Sequence, residues 1–195
     1  MTITYYQRNA QTFFDATVGV DMSSLYAPFL SRVVPGGRVL DAGCGSGRDA
    51  KAFNALGYQV EAFDASAEIV RLAAAYTSLP VRQMTFNMLE AEECYDGIWC
   101  CASLLHLPQA DLPEAMRRLA CALKPGGIWY LSFKYGAGER EKAGRHFTDL
   151  NEPGLEALVA ALPQVGIVEQ WTTQDKRPER DEVWLNALLR KHLSE

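Results

Sequence analysis

The positions that recur along this chain follow two different periods. Near the start, Tyr5, Tyr6, Asn9, Ala10, Phe13 and Phe14 repeat at spacings of three and four, the period of one helix face, so residues 4–17 are expected to form one helix with an aromatic packing stripe. A second helix is expected over 23–33, capped by Ser23 or Ser24 and stopped by Pro35-Gly36-Gly37. From Val39 onward, short apolar runs alternate with helical stretches. Strands are expected at 39–41, 58–64, 81–85, 95–100 and 128–133, and helices at 48–56, 67–76 and 110–123. Within the last of these helices Leu112, Ala115, Met116, Leu119 and Leu123 share a face. The end of the chain reads differently. A helix at 152–162 leads to VGIVEQWTTQ, a polar turn DKRPER, and EVWLNALLRKH, a hairpin pattern with no helix between its arms.

Strands alternating with helices argue for crossover units, hence an α/β fold with a parallel sheet and helices on both faces. With 195 residues and 48% hydrophobic content, one domain with a full core is expected, spanning 1–195. No run of 18 apolar residues occurs, and MTITYYQRNAQTFF lacks the basic start and apolar core of a signal peptide, so a soluble, cytoplasmic protein without a membrane partner is expected. The five cysteines form no C-x-x-C and only three histidines accompany them, which points to reduced, mostly buried thiols and to no metal site. A net charge of −5 gives no general attraction to a polyanion, so nucleic acid is the weaker candidate partner.

The most informative stretch is RVLDAGCGSGRD, residues 38–49. A short strand ends in Asp41 and runs into Gly43, Gly45 and Gly47 just before a helix. Residues without a Cβ let the backbone approach a ligand, and the N–H groups at the helix start favour electron-rich groups. The dinucleotide fingerprint G-x-G-x-x-G fails here, because its third glycine, counted from Gly43, falls on Arg48; no P-loop Gly-Lys-Ser/Thr occurs either. A second acid, Asp64, ends the next strand 21 residues beyond Gly43, where a carboxylate can accept two hydrogen bonds from a ribose diol. The competing reading makes Asp64 or Ser66 the N-cap of the helix that follows.

The run Val39-Leu40-Asp41-Ala42-Gly43-Cys44-Gly45-Ser46-Gly47 resembles motif I of the class I S-adenosylmethionine-dependent methyltransferases. Tyr95-Asp96-Gly97-Ile98, Ser103 to His106 and Leu123-Lys124-Pro125-Gly126-Gly127 resemble later landmarks of the same family. The resemblance implies a Rossmann-like, doubly wound, mostly parallel seven-stranded sheet with an antiparallel last strand. It further implies an N-terminal helical cap (1–35), a cofactor-binding core (36–135) and a substrate loop with a C-terminal hairpin (136–195). S-adenosyl-L-methionine is the implied cofactor. Asp41 and the backbone of Gly43, Cys44, Gly45 and Gly47 would take its methionine end, Asp64 its ribose, and Ala65, Thr85 and Phe86 would flank the adenine. Cys101 would lie under the sulfonium end. Many family members carry an acid just after the third strand, and this chain has Thr85, Phe86 and Asn87 there instead. Gly45-x-Gly47-Arg48 and the compact length also resemble tellurite-resistance-type methyltransferases.

Three further groups are candidates for chemistry. Arg48 either orients the cofactor or pairs with an acid such as Asp41. His106 either acts as a base near pH 7 or shapes the loop beneath the methyl group, and Tyr6 joins it as a candidate catalytic residue. The segment from Lys134 to Asp149 collects cations, a tyrosine and glycines beyond a strand's carboxyl end, where open α/β sheets bind ligands. It reads either as a mobile solvated loop or as a lid that closes with residues 5–17. In the second case Tyr6, Asn9, Lys134, Tyr135, Arg145 and Arg177 would form a small acceptor pocket favouring an anion. The expected function is therefore methyl transfer to a small-molecule acceptor. The alternatives are an RNA or protein methyltransferase and a non-catalytic module that binds the cofactor.

Overall fold

The computed structural model describes residues 1–178 and 180–193. The chain begins with helices α1 (Thr2–Arg8), α2 (Ala10–Thr17) and α3 (Ser23–Leu30). It continues through β1 (Arg38–Ala42), α4 (Arg48–Ala55), β2 (Gln59–Asp64), α5 (Ala67–Thr77), β3 (Val81–Gln83), β4 (Tyr95–Cys100), α6 (Leu112–Ala122) and β5 (Leu123–Lys134). It ends with β6 (Gly138–Lys142), β7 (Arg145–Asp149), α7 (Glu152–Ala160), β8 (Val165–Gln174) and β9 (Val183–Lys191). Seven strands form one sheet in the order β3-β2-β1-β4-β5-β9-β8. The pairs among β1 to β5 are parallel, and β9 runs antiparallel to both β5 and β8. The expected sheet, with its antiparallel strand contributed by the terminal hairpin, is therefore present. Strand order reverses between β1 and β4, and such a switch point opens a crevice at the strands' carboxyl ends.

Side chains alternate across the sheet with the period of two that a pleated strand imposes. Leu40, Ile98, Trp129 and Leu131 pack on the face covered by α6 and α7. Val39, Trp99, Ile128 and Tyr130 pack on the other face with Phe29 of α3 and Phe53 of α4, and the Trp99 and Tyr130 rings stack at 3.9 Å. Gly97 lets α3 come this close, because a Cβ there would stand 2.8 Å from the Phe29 ring.

Several expected boundaries are displaced for local reasons. The helix expected over 4–17 is broken at Asn9 (φ −115°, ψ 21°), whose side-chain amide donates to the Tyr5 carbonyl at 2.8 Å and competes with the helical backbone for it. The helix expected over 23–33 ends at Leu30, and neither Ser23 nor Ser24 caps it; the Ser23 N–H instead donates to Asp21 Oδ1 at 2.9 Å. The third strand stops at Gln83 and a 3-10 turn takes Phe86–Met88. Strand β5 starts five residues earlier than the apolar run that marked it, at Leu123, because Lys191 Nζ donates to the Leu123 carbonyl at 2.8 Å and Lys124 Nζ binds the Asp96 carboxylate at 2.9 and 3.0 Å.

The largest difference lies at residues 134–149. This stretch is a two-stranded hairpin, β6–β7, paired from Gly138↔Asp149 to Lys142↔Arg145. Its two-residue turn, Ala143-Gly144, has φ of 51° and 75°, the doubly left-handed geometry that matches the twist of a tight hairpin. Alanine is uncommon at such a position, so the turn is poorly visible in sequence.

Candidate functional site

Strand β1 delivers the glycine turn to the switch point. The Gly43 and Cys44 N–H groups donate to the Phe63 carbonyl at 3.0 and 2.9 Å, tying the turn to the end of β2. Gly43 has φ of 76°, and a Cβ added there would meet the Ser103 Cβ at 2.4 Å; the loop after β4 thus leans directly on the turn. Gly45 has φ of 54°, and its missing Cβ would touch the Phe13 ring of α2 at 3.2 Å. Gly47 sits apart from this opening, packed against Thr77 of α5, where its absent Cβ relieves a 2.7 Å contact.

Asp64 closes the other side. Its Oδ2 accepts the Gly45 N–H at 3.1 Å and its Oδ1 accepts the Ser66 N–H at 3.1 Å. Each carboxylate oxygen has a further lone pair free for a hydroxyl donor. The cap of α5 belongs to Ser66, whose Oγ accepts from the Ile69 N–H at 3.4 Å. Burial raises the Asp64 pKa, against the pull of those backbone N–H groups.

A cavity of about 560 Å³ runs from this turn to the underside of α1 and the β6–β7 hairpin. That size is typical of sites for drug-sized ligands. Of the residues expected at a cofactor, Gly43, Cys44, Gly45, Arg48, Asp64, Ala65, Thr85, Phe86 and Cys101 all line it. Asp41 and Gly47 are not among its lining residues. Asp41 is 2% exposed, and its Oδ2 has no hydrogen-bond partner. Burial, reinforced by the negative charge of Asp49, raises its pKa well above the usual carboxylate range.

Arg48 is paired with its neighbour Asp49 (2.7 and 3.0 Å) and not with Asp41, and it also donates to the Thr17 carbonyl at 3.3 Å. Asp49 further accepts from the Tyr26 hydroxyl at 2.5 Å and from Trp99 Nε1 at 2.9 Å. Burial alone would raise the Asp49 pKa, but Arg48 and these donors bring it below normal. This network was not anticipated. An acid in the first turn of a helix ordinarily reads as a response to the helix dipole.

At the far end of the cavity, α1 meets the hairpin. The Tyr6 hydroxyl lies 2.8 Å from His106 Nε2, and His106 Nδ1 lies 2.9 Å from the His146 carbonyl. A carbonyl can only accept, so Nδ1 carries the proton and Nε2 accepts from Tyr6. Burial, with Arg145 and Lys134 nearby, lowers the His106 pKa to about 4, so the ring is neutral near pH 7 and a weak proton acceptor. Burial raises the Tyr6 pKa as well.

Lys134, Arg145 and Arg177 line the same space. Lys134 is paired with Glu182 at 2.5 Å and Arg177 with Asp175 at 2.6 Å. Arg145 stands differently, 4.6 Å from the Tyr5 ring centroid and 5.3 Å from that of Phe147. Its Nε is buried without a partner, and no carboxylate among the described residues lies within ion-pair distance of it.

Two expected pocket residues lie elsewhere. The Asn9 side chain is spent on the Tyr5 carbonyl, and the half-exposed Tyr135 donates its hydroxyl to Glu152 at 2.8 Å. Phe13, His146 and Phe147 line the cavity although sequence reasoning did not select them for the pocket, and the three-and-four spacing that placed Phe13 on the face of Tyr6 was the available signal.

A glycine turn at a strand-order switch point, with an acid ending the adjacent strand, defines a nucleotide-type cofactor site in a doubly wound α/β protein. A family model described as a methyltransferase domain matches residues 39–127. The ubiquinone biosynthesis O-methyltransferase of Xanthomonas campestris pv. campestris (strain B100) is 35% identical over 179 aligned residues, covering 77% of this chain and 74% of that protein. A counterpart from Xanthomonas axonopodis pv. citri is 29% identical, covering 78% and 76%. Among solved structures, the 1,6-didemethyltoxoflavin-N1-methyltransferase of Burkholderia thailandensis superposes with a TM-score of 0.76 at 24% identity, covering 97% of this chain and 85% of that one. The [4+2]-cyclase SpnF superposes with a TM-score of 0.77 at 19% identity, covering 98% and 95%. The chain belongs to the class I S-adenosylmethionine-dependent methyltransferases. Its residues fit that cofactor: Gly43, Cys44 and Gly45 of the turn line the cavity together with Asp64, and Asp41, buried outside the lining at the start of the turn, keeps one oxygen without a donor.

Proposed function

We propose that this methyltransferase acts on an oxygen of a small, anionic acceptor within the cavity beneath α1, α2 and the β6–β7 hairpin. The observation that carries this reading is that Arg145, a cation without a carboxylate partner among the described residues, shares one cavity with the glycine turn. A cavity of about 560 Å³ lined by α1, α2 and the hairpin suits a small molecule better than RNA or protein as acceptor. The names of the Xanthomonas relatives support oxygen as the acceptor atom. The five unpaired cysteines fit a reducing, cytoplasmic setting.

When bound, S-adenosylmethionine supplies an electrophilic methyl group on a sulfonium. In our assignment Asp64 holds the ribose hydroxyls, Ala65, Thr85 and Phe86 border the adenine, and the glycine turn, which follows the buried Asp41, receives the methionine end. Cys101 forms the floor beneath the sulfonium. Burial pushes its thiol up to about 12, so it stays neutral and does not compete as a nucleophile. The lid residues exclude water and align the acceptor; alignment of this kind can lower a barrier by roughly 7–11 kcal/mol.

The test is turnover. Release of S-adenosylhomocysteine is measured with S-adenosylmethionine and a set of hydroxylated aromatic and aliphatic carboxylates, then with total RNA and with denatured protein. Methylation confined to the small molecules is the expected result, and preferential labelling of RNA or protein would overturn it. The fold-level likeness to a cyclase makes turnover, and not cofactor binding alone, the deciding measurement.

A further inference from the structure

Arg145 has a hydrogen-bonding neighbour in Tyr6 but no counter-charge among the described residues. Its guanidinium lies within the roughly 6 Å reach of a cation–π contact from two aromatic rings, Tyr5 on α1 at 4.6 Å and Phe147 on β7 at 5.3 Å, the latter shared with Lys134 and Arg140. Contacts of this kind hold the group in place without using its N–H donors. Its Nε is buried with no acceptor, and a charged donor left unpaired in that way is costly unless something arrives to pair it.

The groups facing it cannot fill that role. Lys134 on β5 is a cation already paired with Glu182, and Arg177 is paired with Asp175. Tyr6 on α1 donates its hydroxyl proton to His106, and His106 donates to the His146 carbonyl; the Tyr6 oxygen accepts from Arg145 but carries no charge to balance it, and Arg145 Nε stays unpaired. Each proton in this chain has a fixed direction. Asp64, across the cavity, is engaged by the Gly45 and Ser66 N–H groups.

We infer that Arg145 is the specificity-determining residue for an acidic hydroxyl, and that the acceptor sheds its proton to solvent on binding and not to a residue of this chain. This deepens the reading of a small anionic acceptor and rests on it. The balance is simple. The acceptor R–OH releases H⁺ to water, and R–O⁻ remains against the guanidinium. The O–CH₃ bond forms as the S–CH₃ bond breaks, and the electron pair of that bond returns to sulfur, leaving R–OCH₃ and neutral S-adenosylhomocysteine. No base is required.

Two imidazoles line the cavity; His146 is turned through Nε2 to Thr148 Oγ1 at 3.2 Å and Glu139 Oε1 at 3.3 Å, which leaves His106 as the rival proton acceptor. Its Nε2 lone pair is occupied by the Tyr6 hydroxyl, and a proton added to the ring would face Arg145 and Lys134 in a buried setting. The thiols of Cys44 and Cys101 are raised by burial and offer no thiolate either.

The probe is 4-nitrophenol, whose phenol and phenolate forms absorb at different wavelengths, titrated into protein saturated with S-adenosylhomocysteine. Below the free pKa of the phenol, the bound probe is expected to show the phenolate spectrum, its apparent pKa lowered by about one unit or more, the scale of an adjacent opposite charge. Calorimetry in two buffers of different ionisation enthalpy is expected to show nearly one proton released per molecule bound. Arg145→Met should lose the spectral shift and weaken binding about tenfold or more, the range of a charge-assisted hydrogen bond. Arg145→Lys, which keeps the charge without the planar guanidinium, should give an intermediate shift. Unchanged affinity for S-adenosylhomocysteine reports that each variant is folded.

A bound probe that stays protonated would overturn the inference. So would a phenolate spectrum without proton release, the sign of a base on the protein, or a shift that survives in Arg145→Met. Phenolate binding as described, with no small molecule methylated in the turnover assay, would defeat the acceptor assignment while leaving the anion site standing.

Discussion

Asp64 Oδ2 accepts the backbone N–H of Gly45 at 3.1 Å, so the end of β2 and the glycine turn are locked together by the carboxylate assigned to the cofactor. The contact orients Asp64 before any ligand enters and makes its side chain part of the turn.

Replacing Asp64 with alanine should weaken binding of S-adenosylhomocysteine by about 1.5–3 kcal/mol, the scale for hydrogen bonds to a charged group. The far-UV circular dichroism should be unchanged, because the cap of α5 is supplied by Ser66 and not by Asp64. Calorimetry and a thermal melt separate the two effects. Unfolding of the variant would show that the carboxylate serves the fold first.

Gly43 and Gly45 should fail in different ways. Gly43→Ala drives a methyl group to 2.4 Å from the Ser103 Cβ at a left-handed φ, and overpacking of this kind costs about 1–3 kcal/mol of stability. At Gly45 the nearest atoms belong to the Phe13 ring, which can swing away with α2. Gly45→Ala, strained at φ 54° but meeting only a movable ring, should therefore spare more of the melting temperature than Gly43→Ala, whereas Gly45→Val, β-branched at that φ, should lose both stability and cofactor binding. Normal binding by Gly45→Val would remove the turn from the site.

Asp41 and Asp49 lie near each other in charge but have opposite effects on stability. Asp49 has a lowered pKa, so its contribution is present above the unfolded carboxylate value and is lost as the pH falls through its folded value. Asp49→Asn removes the charge facing a buried Arg48 and should cost about 3–5 kcal/mol. Asp41 has a raised pKa, so the folded state binds its proton more tightly. Its ionisation becomes a growing penalty as the pH rises above about 3.9, the unfolded value. Asp41→Asn should thus stabilise the cofactor-free protein by ~0.5–2 kcal/mol at pH 7, an advantage that disappears below pH ~3.9, while weakening cofactor binding. Melts across pH with both variants test the two signs together.

How much of this was legible beforehand depended on whether the determining contact was local. Strand β4 falls on its expected boundaries, Tyr95–Cys100, because the apolar run Ile98-Trp99-Cys100, buried on both faces, marks its second half. The glycine turn and Asp64 could be read because their spacing is dictated by one strand, one turn and one helix. The Asp49 network could not, since Trp99 lies 50 residues away in sequence and nothing local marks it as a hydrogen-bond donor to a helix. Asn9 was misplaced because it falls on the right face of an ideal helix but breaks that helix with its own amide. Tyr135 was misplaced because Lys134 ends a strand, and alternation sends the next side chain to the opposite face.

Helices α1 and α2 and the β6–β7 hairpin should order together when the cofactor binds. Ala10 is the one fully buried residue of those two helices, so little apolar area anchors them and they belong to the low-stability end of the fold. Their attachments are polar and lead to the site. Thr2 Oγ1 accepts the His146 N–H at 2.9 Å, Tyr6 reaches His106 at 2.8 Å, and Gln7 Oε1 accepts from the Ser66 hydroxyl at 3.0 Å. Phe13 leans on Gly45 itself, so a ligand at the turn touches the lid directly. A lid of this kind shields the reaction from water and selects by size. Hydrogen exchange with and without S-adenosylhomocysteine should show residues 2–17 and 138–149 gaining protection in concert. Tyr6→Phe leaves His106 Nε2 without its donor, a loss of about 1–3 kcal/mol for a buried polar group, and should uncouple the two segments while cofactor still protects the glycine turn. Protection confined to the turn in the wild-type protein would mean that the cavity stays open during binding, and the case for small acceptors would lose its support.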